Sequence, residues 1–175
     1  MNTMEPLSEE FVEKTWRETA GLSSDMADRE MRAMGKNQPD LLAFLMTFSE
    51  DLGREAQELA VYLGFVVYRM FMGSGVAIPR ITSRTLMAEY NKNARLLKGL
   101  EGSGEGSIAD AVAEAGSAAQ PHIMKYVLDS LMEGSEEDDI ELGEGDIALL
   151  FVLLKTEIEV LDGSSSLSKS SRRLL

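Results

Sequence analysis

The chain has no cysteine. Disulfides, thiolate nucleophiles and zinc sites of the Cys type are therefore excluded. There is one histidine, His122, which removes every paired-histidine metal site and the paired Glu-x-x-His signature of di-iron bundles. Alternation of apolar and polar residues over a useful length, the mark of a half-buried strand, is missing. Positive charge is scarce too: the 175 residues carry a net charge of −13, which repels phosphate backbones and anionic lipid. The N-terminus, MNTMEPLSEE, has neither a basic nor an apolar leader pattern, so a cytoplasmic protein is expected.

A hydrophobic fraction of 44% is enough to build a core, which argues against wholesale disorder. One apolar run, residues 59–78, is twenty long and must be tested as a membrane span. Its only charge, Arg69, would lie near the bilayer centre at a cost of about 2.5–3.5 kcal/mol on insertion scales. Gly73 and Gly75 would also fall inside the membrane, so a buried core helix is expected instead.

The remaining pattern is helical throughout. Ser8 caps a first helix ending at Gly21, and Asp25 or Ser24 caps a second that closes near Gly35. Pro39 opens a third, with Leu41, Phe44, Leu45 and Phe48 on one face. A fourth, about 52–72, is apolar all round over 61–68, as a core helix is. Thr82 or Ser83 caps a fifth, with Ile81 placed to staple onto Leu86. Ser107 caps a small-residue sixth, Pro121 opens a seventh, and an eighth runs from about Asp146 to Leu161 around IALLFVLL.

Within this series the Gln-Pro corner occurs twice. Residues 25–51 align without a gap on 107–133, bringing Gln38-Pro39 onto Gln120-Pro121 and Phe44 onto Tyr126. The expected fold is all-α: about eight helices in two tandem, related four-helix units, about 8–73 and 82–162, with buried central helices four and eight. They form one domain over 1–163. Residues 164–175, Ser-rich and basic, are set aside as a disordered or vector-derived tail.

Chemistry is harder to find. His122 sits in the first turn after Pro121 and has Asp40 as its counterpart in the first copy, so the fold does not demand it. The acidic run 135–146 fails as a calcium loop: with Gly143 or Gly145 at the glycine position, Ile140 occupies a ligand position. Glu55 and Glu58 share a helical face, where Arg54 can pair with Glu58. No catalytic set, cofactor motif or metal motif emerges.

Eleven methionines leave a hint of recognition. Met26, Met31 and Met34 lie together on the second helix, and methionine lines adaptable grooves as well as filling cores. The sequence thus suggests a non-catalytic interaction or scaffold module with a protein partner or a second copy of itself, without nucleic acid. The alternative is a bundle holding an apolar small molecule between its central helices. A cleft gathering His122 with several carboxylates would favour an enzyme instead.

Overall fold

The computed structural model describes residues 4–100, 119–137 and 142–173. Among them the structure is all-helical, with no strand. Seven α-helices follow in order: α1 Glu9–Ala20, α2 Ser24–Asn37, α3 Pro39–Ser49, α4 Arg54–Gly73, α5 Ser83–Leu100, α6 Pro121–Glu137 and α7 Glu144–Arg173. A single 3-10 turn, Glu50–Leu52, joins α3 to α4. The sixth expected helix, capped by Ser107, lies outside the described residues, and so do residues 138–141 of the acidic run.

Local chemistry accounts for the boundaries. Ser8 Oγ accepts the Phe11 N–H at 3.2 Å and starts α1, and Gly21 closes it. Ser23, rather than Ser24 or Asp25, caps α2 by accepting the Met26 N–H at 3.2 Å. That helix runs through Gly35 to Asn37 because the real barrier is Pro39. Gln38, the residue before it, is pushed out of helical geometry to φ −135°, ψ 62°. Gly53 adopts φ 97°, a left-handed backbone that separates the 3-10 turn from α4. Thr82 caps α5 by accepting the Thr85 N–H at 3.3 Å, with Ile81 and Leu86 both buried beside it.

α7 continues through the Ser-rich stretch to Arg173, and Ser165 is buried. No proline interrupts the segment.

α4 and α7 are the two central rods and pack on each other, with α3 and α6 beside them. Leu63, Val67 and Leu154 are at most 2% exposed, which places them in the core. A Cβ at Gly64 would collide with Leu45 and meet Glu157 Oε1 at 3.2 Å, so the glycine permits the close approach. Arg69, the one charge in the apolar run, is held by Glu30 at 2.7 Å and by the Thr19 hydroxyl at 2.6 Å. Among the described residues no helix is long and apolar enough to cross a membrane.

The outer helices cross over. α1 lies on α4 but also on α6, while α5 lies on α7 and also on α3. The Gln-Pro corners tie these crossings. The buried Gln38 side chain donates to the Pro79 carbonyl at 3.0 Å and accepts the Ile81 N–H at 2.8 Å, just ahead of α5. The buried Gln120 side chain donates to the Glu5 carbonyl at 3.4 Å and accepts the Leu7 N–H at 2.9 Å, just ahead of α1. Each amide thus satisfies a carbonyl and an N–H two residues apart, as buried backbone groups require.

Candidate functional site

Two wedges result, one between α3 and α5 and one between α1 and α6. In the first, Phe44, Phe48 and Tyr90 form an aromatic trio. Phe48 lies 5.0 Å from Phe44 and 4.6 Å from Tyr90, ring centre to ring centre, and Tyr90 meets Phe44 edge-on at 5.8 Å. Such contacts add to the area they bury.

The second wedge is open. Trp16 of α1 stacks on Tyr126 of α6 at 6.0 Å with an 18° interplanar angle. Where α3 carries Phe48, α6 carries Ser130 at the aligned position. A groove of about 460 Å³ occupies the place. Its walls follow helical spacing: Glu9, Val12, Glu13, Trp16 and Ala20 from one face of α1, and His122, Lys125, Tyr126, Asp129, Ser130 and Glu133 from one face of α6. Tyr62 of α4, 40% exposed, completes the lining.

Burial pushes the Tyr126 phenol up to about 12, partly opposed by its hydrogen bond to Ser130 and reinforced by Tyr62. It therefore stays neutral at physiological pH. Burial raises Tyr62 as well. The Arg17 guanidinium lies 5.5 Å from the Trp16 ring centre and pairs with Glu13 at 2.6 Å. The rim is mainly acidic, with four carboxylates against Lys125.

The methionines singled out from the sequence are not brought together on one surface. Met34 is 1% exposed and belongs to the core, because the apolar face of α2 turns it inward. Met31 is partly buried against the same core, and only Met26, at 42%, is open to solvent. His122, by contrast, does face a cleft, the groove just described. Glu58 pairs with Arg54 at 3.0 Å on an exposed helix surface.

Two further acidic features lie on α7. Glu157 is fully buried, and among the described residues neither of its carboxylate oxygens finds a hydrogen-bond partner. Burial raises its proton affinity well above that of an ordinary glutamate. Nearer the surface, Glu89 of α5 is pushed up to about 7, chiefly by a hydrogen bond to Glu159 and then by burial and the charge of Glu159. Lys155 pairs with Glu159 and donates to Asn93 Oδ1 at 2.8 Å, and Asn93 donates to the Thr156 hydroxyl at 3.0 Å. Among the described residues no three metal-ligating side chains converge.

The groove was hidden from sequence reasoning because α1 and α6 are distant in the chain. One trace was available: the alignment of 25–51 with 107–133 sets Phe48 against Ser130. No protein-family model matches this chain, and neither a curated protein nor a solved structure matches it.

Proposed function

We propose that the chain is a non-catalytic protein-interaction module built from two related halves, with the groove between α1 and α6 as its docking surface. Relatedness of the halves is supported by matching roles at matching positions. Ser8 and Thr82 cap α1 and α5, Trp16 and Tyr90 follow one face on, and Gln38 and Gln120 each bond a carbonyl and an N–H, Gln120 also donating to Asp162 Oδ1 at 3.0 Å. Arg69 in the Phe65-Val66 segment of α4 bonds Thr19, and Lys155 in the Phe151-Val152 segment of α7 bonds Asn93, the residue matching Thr19. Each clamp reaches across to the first helix of the other half, so the two would be exchanged rather than merely adjacent.

One observation carries the docking surface: the wedge that Phe48 fills in one half is, among the described residues, open at Ser130 in the other. A library of displayed peptides selected on the wild-type protein and on Ser130→Phe tests it. Peptides that require the open groove should appear only with the wild type. Identical selections, or none, would contradict the reading.

The same groove gathers His122 with four carboxylates, which favours acid–base catalysis as a second reading. It ranks lower on geometry. His122 and Ser130 are eight residues apart on one helix, roughly 12 Å along its axis. That separation is too long for a base and a hydroxyl nucleophile to share a proton.

A further inference from the structure

We infer that the groove between α1 and α6 receives an arginine side chain of a basic peptide. The inference rests on the docking reading above and adds the chemistry of the occupant. The missing group is planar in the related wedge, where the Phe48 ring lies among two others. A guanidinium is also planar, and it stacks on aromatic faces while its edge binds carboxylates. Tyr62 and Tyr126 line the groove together with Ser130, and Glu9, Glu13, Asp129 and Glu133 line it against the single Lys125.

The acidity belongs to the open wedge in particular. Glu9, Glu13 and Asp129 match Ser83, Met87 and Thr47 in the filled wedge, and only Glu133 has an acidic counterpart, Asp51. Burying a wedge against the core does not call for these charges. The chain itself supplies one instance of the proposed chemistry, since Arg17 lies over Trp16 with Glu13 at its side. A net charge of −13 draws cations toward the surface, and the groove selects among them by shape.

The probe is a fluorescein-labelled hexa-arginine peptide, followed by anisotropy with the full chain in moderate salt. Three variants are compared: Ser130→Phe, the pair Asp129→Lys with Glu133→Lys, and the pair Asp25→Lys with Asp28→Lys. Both lysine pairs change charge equally and replace exposed residues, but only the first lies on the groove. The expected result is at least tenfold weaker binding for Ser130→Phe and for the groove pair. The α2 pair should lose less than about threefold, because neither residue lines the groove. Hexa-lysine should bind the wild type several-fold more weakly than hexa-arginine. Equal losses for the two lysine pairs would overturn the inference, and the lysine pairs decide even if Ser130→Phe fails to fold. If a neutral aromatic peptide binds in a Ser130-dependent way and hexa-arginine does not, the arginine assignment falls while the docking surface stands.

Discussion

The wedge between α3 and α5 and the wedge between α1 and α6 have similar helices and opposite fillings. In the first, three rings close the space; in the second, two rings stack and leave about 460 Å³ open. The difference marks the place to look for function: the wedge that carries Ser130 and not a third ring.

The largest effects should come from emptying the filled wedge. Phe44→Ala removes a ring that is 5% exposed and touches two others. It should cost about 3–5 kcal/mol in urea unfolding, as large core truncations do. Tyr126→Ala, whose ring borders the groove, should cost less, about 1–3 kcal/mol. Equal costs would mean that the two wedges are packed alike, contrary to the comparison.

The clamps come next. Gln38→Ala and Gln120→Ala each strand a backbone carbonyl and an N–H, so each should cost about 1–3 kcal/mol. Similar values would support matched halves; a loss at one corner alone would break the match.

Much of the molecule could be read from its sequence, and the reasons are local. Ser8, Gly21, Pro39, Thr82 and Pro121 act through their own backbone neighbourhood, so most helix starts followed from residue type. Pairing of α1 with α6 did not, because it depends on Gln120 reaching Leu7 across most of the chain. Correspondence outside the Gln-Pro segments was also obscured. Under the proposed relation of the halves, the spacing of matched residues would change from Ser8/Thr82 to Phe44/Tyr126 to Arg69/Lys155. Met34 illustrates a third limit: periodicity finds an apolar face, while depth within the fold decides whether that face is a core or a surface.

α7 offers a sharper contrast with α4. Where α4 buries Phe71, α7 buries Glu157, whose carboxyl has no hydrogen-bond partner among the described residues. Glu157→Leu should therefore stabilise the protein, by about 1–3 kcal/mol at pH 8, where the ionised form would be most costly. Lower stability on that substitution would show that the carboxyl is satisfied after all.

A smaller effect concerns the α5–α7 contact. Glu89 titrates at about 7 in the folded chain against an ordinary value of 4.5, facing Glu159 and Lys155 of α7 and Lys92 of its own helix. The folded state then holds more protons than the unfolded one between these values. The contribution of Glu89 should be full below about pH 4.5 and lost as pH rises through about 7. Urea unfolding at pH 5 and pH 8 should show this decline flattened in Glu89→Gln; an unchanged slope would remove the shared proton from the account.

Trp16 is the only tryptophan and forms a wall of the groove, so its emission reports directly on occupancy. The most direct measurement is a titration of that emission with a groove-selected peptide, on the wild type and on Ser130→Phe. A saturable change is expected in the wild type and none in the variant. The same curve in both proteins would place the peptide elsewhere and contradict the open wedge as the docking surface.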